Sequence, residues 1–267
     1  MKEAVGLIAG DGELPLLLAS GIRADGRAVV SIGHRGATPA HLKALVNAFH
    51  WVEVGELGKI IDLLRSEGVR RVVFAGGIPK TLFFTNAKPD GRAIRVLSRL
   101  KDKKDDAILR AIADEIESEG IRVISPIPFL KDAIAVRGCW TGRKPTEREE
   151  KDIAFGWNMA KRYGRLDIGQ SLVVKEQMIL AVEAVEGTDE TIRRGGKLGR
   201  GDVMVIKICK PRQDRRLDLP VIGPGTVKTL QESGASALVV EAGRTIVLHK
   251  EEVIRRADES GICLLGM

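Results

Sequence analysis

A chain of 267 residues with 44% apolar content has enough material for one large core or two smaller ones. Only 4% of the residues are aromatic, so the core must be Val, Ile, Leu and Ala, the usual material of parallel sheets covered on both faces. A formal charge of +7 favours anionic partners, while the shortage of aromatic stacking platforms argues against single-stranded nucleic acid, three scattered cysteines (Cys139, Cys209, Cys263) argue against structural zinc or a disulfide framework, and no run of eighteen apolar residues is present to span a membrane.

Asp11 and Glu13 interrupt the first apolar run, so no signal peptide is read and a cytoplasmic protein is expected, with its cysteines as small buried hydrophobes. Ala4 to Ala9 reads as a buried strand, then Gly10-Asp-Gly-Glu-Leu-Pro15 as a turn, then a helix from Leu14 to Ala24. Strand, glycine turn and helix N-terminus together make an anion site, with Gly10 and Gly12 bringing backbone N–H groups close to a phosphate. The third glycine of the dinucleotide fingerprint falls at Pro15, so the motif is incomplete, and a tight turn needing glycine for backbone reasons alone is the competing account.

Ala28 to Ile32 and Trp51 to Val54 read as strands, Gly58 to Glu67 as a helix closed by Gly68, and Arg71 to Ala75 as a further buried strand. That strand runs into a second glycine loop, Gly76-Gly-Ile-Pro-Lys80, where Gly76 and Lys80 are candidates for substrate binding at a strand C-terminus. Helices over Arg92 to Leu100 and Asp105 to Glu119 and a strand over Arg122 to Ile124 complete an alternating pattern, which predicts a Rossmann-like parallel sheet. The carboxylates of Asp105 and Asp106 are accounted for by the dipole of the helix they open. Ser125-Pro-Ile-Pro128 interrupts the pattern, so an N-terminal domain over 1–131 and a C-terminal α/β domain over 136–267 are expected, with a cleft between them.

In the second half, Thr146-Glu-Arg-Glu149 fits a capping box opening a helix to Tyr163. Gln170 to Val174 and Ile179 to Glu183 read as paired strands, and Thr188 as the N-cap of a short helix through Arg194. Glu183, Glu186, Asp189 and Glu190 crowd four acids into eight residues, which repel unless cations or a metal balance them. Gly195 to Gly201 reads as a flexible loop. After a strand over Val203 to Ile208 comes the densest polar stretch of the chain: five cations (Lys207, Lys210, Arg212, Arg215, Arg216) surround Asp214, Asp218 and Gln213, with Pro211 and Pro220 stiffening the ends. Such a loop can clamp anionic oxygens and still offer a carboxylate to a metal or a water; a solvated basic loop is the plainer account. A helix capped by Thr226, strands over Ala237 to Glu241 and Thr245 to Leu248, a helix over Lys250 to Ser260 and a strand over Ile262 to Leu265 finish the chain.

Five stretches in this order and spacing carry a resemblance: Gly6-Leu-Ile-Ala-Gly-Asp-Gly-Glu-Leu-Pro15, Asp167-Ile-Gly-Gln-Ser171, Leu180-Ala-Val-Glu-Ala-Val-Glu-Gly-Thr-Asp189, Lys207-Ile-Cys-Lys-Pro-Arg-Gln-Asp-Arg-Arg-Leu-Asp-Leu-Pro220 and Val240-Glu-Ala-Gly243. Over essentially the whole chain the sequence resembles the LpxI family of UDP-2,3-diacylglucosamine pyrophosphatases. The resemblance implies two domains around a substrate cleft and a Mg²⁺-dependent hydrolase of lipid A biosynthesis, releasing UMP and 2,3-diacylglucosamine 1-phosphate (lipid X) by attack at the β-phosphorus. It implies that Asp214 is the essential aspartate and that Gly187, Thr188 and Asp189 line the sugar and phosphate region. His249 stands where the family pattern more often has an aspartate, outside the main blocks.

Pyrophosphate hydrolysis needs neutralised charge, an aligned water and a stabilised leaving phosphate. Asp214 and Asp189 are the catalytic and metal-holding candidates, with Lys207, Lys210, Gln213, Arg215 and Thr188 set on the substrate. The expected partners are a glycolipid nucleotide, the inner-membrane surface in passing contact through net positive charge, and a second copy of the chain; nucleic acid is not expected. Two alternatives stay open: a non-catalytic nucleotide-sugar or lipid-phosphate binding protein, and a nucleotide-binding oxidoreductase, against which stand the incomplete glycine turn and the lack of a Tyr-x-x-x-Lys motif. A two-metal phosphoesterase is not expected, because the four histidines lie in no Asp-x-His or Gly-Asn-His pattern.

Overall fold

The computed structural model describes residues 2–79, 82, 87–100, 105–211 and 213–267, with the side chain of Asp105 excepted. They form two compact units. The first is Met1–Lys131 together with Asp214–Asp218, and the second is Asp132–Gln213 together with Leu219–Met267.

In the first unit, strands β1 (Val5–Ala9), β2 (Val29–His34), β3 (Ala48–Val52), β4 (Arg71–Ala75) and β5 (Arg122–Val123) make one parallel sheet in the order β3-β2-β1-β4-β5. Helices α1 (Leu14–Ala24), α2 (Leu57–Ser66), α3 (Gly91–Ser98) and α4 (Asp105–Ser118) connect and cover it. Every residue of β1 is buried, which is why that strand reads as an unbroken apolar run. In α2 the buried set Leu57, Ile60, Ile61 and Leu64 is the i, i+3, i+4, i+7 stripe of a helix lying on a sheet. Leu217, from the late segment Asp214–Asp218, is buried in this same core.

The second unit is built on a mixed six-stranded sheet. It comprises β6 (Gly138–Cys139), β7 (Ser171–Lys175), β8 (Met178–Val182), β9 (Val203–Lys207), β11 (Ala235–Val240) and β13 (Cys263–Gly266), in the order β6-β13-β11-β9-β7-β8. Strands β9, β11 and β13 run parallel, and β7 is antiparallel to β9 and β8. A two-stranded parallel pair, β10 (Val221–Ile222) with β12 (Ile246–Val247), stands apart. The helices are α5 (Glu147–Gly164), α6 (Thr188–Gly199), α7 (Pro224–Glu232) and α8 (Lys250–Glu259). The α/β class and the two-domain architecture are those expected from the sequence. The capping box is present too, with the Thr146 side chain accepting from Glu149 N and the Glu149 carboxylate accepting from Thr146 N.

Three local expectations need correction. Helix α6 does not stop at Arg194 but runs through Gly195, Gly196 and Gly199. A Cβ at Gly195 would lie 2.5 Å from Val173, at Gly196 2.3 Å from the Ser233 carbonyl oxygen, and at Gly199 2.4 Å from Val203. The glycines therefore let the helix settle against the sheet and a neighbouring turn rather than marking a loop. The N-cap of α6 is Gly187 (φ 83°), in a conformation that a side chain resists, and Thr188 is the first helical residue. Likewise Gly223 caps α7, and Thr226 sits inside the first turn, accepting from Gly223 N.

Candidate functional site

In the first unit the strand order reverses direction at β1 and β4, and the loops that follow these two strands meet there. This is the switch point at which open α/β sheets bind ligands. Gly10 N donates to Ala75 O (2.8 Å) and Asp11 N to Gly77 O (2.7 Å), locking the two glycine turns together. A Cβ at Gly10 would stand 2.3 Å from Gly77 O, and one at Gly76 2.2 Å from Asp11 O. Gly10 and Gly76 are thus required for the close approach of two backbones, and the Gly10 amide is engaged within the protein. Gly12 lies at the exposed tip with open space beside it, and its N–H donates to Asp11 Oδ1 (2.6 Å). Lys80 lies outside the described residues.

Beside this turn, at the end of β2, the His34 ring is buried and its Nδ1 lies 3.0 Å from Ala9 O. Thr38 Oγ1 donates to the same carbonyl (2.6 Å) and accepts from His34 N (2.8 Å), so ring and turn are braced together. Burial lowers the His34 pKa, and the bond to the Ala9 carbonyl offsets this only in part.

Asp214 and its neighbours also belong to the first unit. Arg216 grips the Asp214 carboxylate through Nη2–Oδ2 (2.8 Å) and Nε–Oδ1 (3.1 Å), while Arg216 N donates to Oδ1 (3.0 Å). The far side of the guanidinium holds Glu117 (3.1 Å), whose Oε1 also accepts from Val123 N. The Arg216 hydrogen bond lowers the Asp214 pKa below the ordinary carboxylate range, and the pair raises that of Arg216. Arg215 next to it is exposed and makes no ion pair or hydrogen bond among the described residues.

The second unit gathers a separate polar cluster. Ser171, at the start of β7, pairs with Lys207 at the end of β9, and Glu183 follows β8 with its N–H on Ser171 O. Lys207 is buried, and its Nζ donates to Thr188 Oγ1 (3.0 Å), which donates to Glu183 Oε1 (3.1 Å) and lies 3.3 Å from Ser171 Oγ. Glu183 Oε2 and Gln170 Oε1 are buried with no hydrogen-bond partner among the described residues. The Tyr163 hydroxyl closes the cluster from below by donating to Glu183 O. Lys210 reaches Asp167 (2.6 Å), and Gln213 turns inward, its Oε1 accepting from Lys210 N (3.2 Å). Asp189 is exposed in the first turn of α6 and pairs with no other described residue.

The sequence pointed to Asp214, Lys207 and Thr188, and to Glu183 only as one of four crowded acids, but left out Arg216 as a partner and His34. The Asp214-x-Arg216 spacing, which lets a guanidinium fold back on a carboxylate, was the signal available for the first of these. A shallow depression of about 420 Å³ lined by Arg193, Lys197, Arg200 and Glu232 lies at the other end of α6, and none of the singled-out residues lines it.

Magnesium keeps several waters and takes one or two carboxylates plus substrate phosphates rather than a full protein cage. Two single donors suit that habit: among the described residues Asp189 has an uncommitted carboxylate, and Asp214 is held ionised.

Residues 4–133 match the LpxI N-terminal domain and residues 136–265 the LpxI C-terminal domain. The UDP-2,3-diacylglucosamine pyrophosphatase LpxI of Caulobacter vibrioides is 39% identical over 274 residues, covering 98% of this chain and 97% of that protein. Among solved structures, the biotin carboxylase subunit of a pyruvate carboxylase matches at a TM-score of 0.28 and 14% identity. That match covers 67% of this chain and 35% of the other, a likeness too slight to carry any argument.

Proposed function

Because this chain belongs to the LpxI family, we propose that it hydrolyses the pyrophosphate bond of UDP-2,3-diacylglucosamine, releasing UMP and 2,3-diacylglucosamine 1-phosphate. The observation that carries the reading is the full-length identity to a named pyrophosphatase of that substrate. The clamped carboxylate of Asp214 supports it, being the kind of group a phosphoryl-transfer site needs.

A carboxylate held ionised by Arg216 is a weak base, so Asp214 serves better as a ligand and an orienting acceptor than as a proton store. We assign it to hold Mg²⁺ and to align the attacking water, with Asp189 as the second acid. When bound, the cation would neutralise the phosphate oxygens and polarise the phosphorus under attack. Lys207, held through Thr188 to Glu183, and exposed Arg215 are the cations we assign to phosphate oxygens. Lys210 would leave Asp167 only if a phosphate replaced it, whereas Gln213 holds the loop rather than the substrate. Attack at the β-phosphorus would place the oxygen of water in the sugar phosphate and leave UMP with its own.

Acyl chains demand apolar cover, worth about 0.8 kcal/mol per buried CH₂. Leu166, Ile168 and Val185 are 65%, 56% and 95% exposed, and their loops meet where Gly169 packs on Glu183 O. With the net charge of +7 they support contact with an anionic bilayer surface. No helix among the described residues is long and apolar enough to cross one. The test is mass spectrometry of UDP-2,3-diacylglucosamine with the protein, in Mg²⁺ or EDTA and in ¹⁸O-water. UMP and lipid X formed only with metal, and label confined to lipid X, are expected. Substrate that binds but survives under every metal tried would return the chain to the binding-protein alternative.

A further inference from the structure

One buried titratable group has no part in this chemistry. His34 is only 7% exposed, and its Nε2 has no partner among the described residues. The state of that nitrogen follows from the other one. A carbonyl oxygen can only accept, so the 3.0 Å contact to Ala9 O places a proton on Nδ1, and burial keeps the ring neutral. Nε2 therefore carries a lone pair. Its direction is fixed, because the Ala9 carbonyl and Thr38 hold the ring and the backbone of His34 together.

The position of this lone pair matters as much as its state. His34 is the last residue of β2, and Gly33 pairs with Ala9 immediately before the Gly10–Gly12 turn. In dinucleotide-binding sheets the residue at the end of the second strand, about twenty positions past the glycine turn, accepts a ribose hydroxyl, and it is ordinarily a carboxylate. Here a neutral acceptor occupies that place. It can accept the same hydroxyl hydrogen bond without adding a negative charge.

We infer that His34 is the ribose-recognition residue of the first unit, with Nε2 accepting a hydrogen bond from a 2′- or 3′-hydroxyl of a uridine nucleotide. This rests on the functional reading above and deepens it, by giving the nucleoside a residue and a direction.

The test is calorimetric binding of UMP and 2′,3′-dideoxy-UMP to the intact chain and to His34→Asn. Asparagine can still donate to Ala9 O but has no atom at the Nε2 position. One hydrogen bond is worth about 1 kcal/mol, so the intact chain should prefer UMP by about fivefold. The variant should weaken UMP by that factor and leave dideoxy-UMP unchanged. A second readout needs no variant: in ¹⁵N-histidine-labelled protein, the His34 Nε2 resonance should move with UMP and stay with dideoxy-UMP. Equal binding of the two nucleotides by the intact chain, or equal weakening of both in the variant, overturns the inference alone. An intact chain that binds neither overturns both the inference and the functional reading.

Discussion

Arg216 and Asp214 are joined side chain to side chain at 2.8 and 3.1 Å, two residues apart, and Glu117 anchors the same guanidinium at 3.1 Å. The arginine thus orients the carboxylate and keeps it charged, and removing either member should be felt in catalysis more than in folding. Asp214→Ala should lower kcat by about 10²–10⁴-fold, the range of directly acting carboxylates. Arg216→Ala should lower it by about 10–100-fold, the worth of hydrogen bonds to a charged group. Arg216 is partly exposed, so its loss should change unfolding free energy by no more than about 1 kcal/mol in urea titration. A larger stability loss with intact kcat would show the pair to be structural.

Thr188 stands between Lys207 and Glu183, accepting from one and donating to the other. Thr188→Val keeps the shape and removes both bonds. KM should rise about tenfold with little change in kcat, and Thr188→Ser should restore it. Steady-state kinetics of the three proteins decide this, and a serine variant as impaired as valine would locate the effect in packing.

Helix propensity alone says that Gly196→Ala should stabilise α6 by about 1 kcal/mol. The Ser233 carbonyl, 2.3 Å from where the methyl would sit, reverses the sign. Thermal unfolding should show a loss of about 1–3 kcal/mol, the usual range for overpacking.

The folded-state pKa of His34 is pushed below its ordinary value of 6.5 by burial. The unfolded chain therefore takes up the proton first as pH falls. His34 contributes stability above pH 6.5, and this is lost progressively as pH falls from there toward its folded-state pKa. Urea midpoints between pH 7.5 and 5 should slope more steeply for the intact chain than for His34→Asn. The lowered pKa of Asp214 acts in a separate, more acidic window, below the ordinary carboxylate value of 3.8.

Elements whose apolar period is undisturbed were legible. The run Arg71–Ala75 and the helix Leu14–Ala24 form over the residues their patterns mark. The two-residue strands Gly138–Cys139 and Val221–Ile222 have no period to read and exist only because a neighbouring strand is there to pair with. Helix α6 was cut short because Gly195 and Gly196 look like a loop until Val173 and Ser233 are placed opposite them. The basic stretch 207–216 read as one phosphate-binding loop, yet Lys207 turns to Thr188, Lys210 to Asp167, Gln213 inward and Arg216 back to Asp214. Charge is visible in a sequence, but the partner that each charge selects depends on residues distant along the chain. A lone histidine such as His34 shows nothing until its two ring nitrogens can be told apart.

The late segment Asp214–Asp218 has a bearing on synthesis. It supplies Leu217 to the first core and Arg216 to Glu117, although more than eighty residues separate it from Lys131. On a ribosome adding about 5–20 residues per second, the N-terminal unit would wait roughly 4–17 s for its last piece. A fragment cut at residue 131 would carry an open core, and a nascent chain of that length would be a substrate for chaperones before it was a domain.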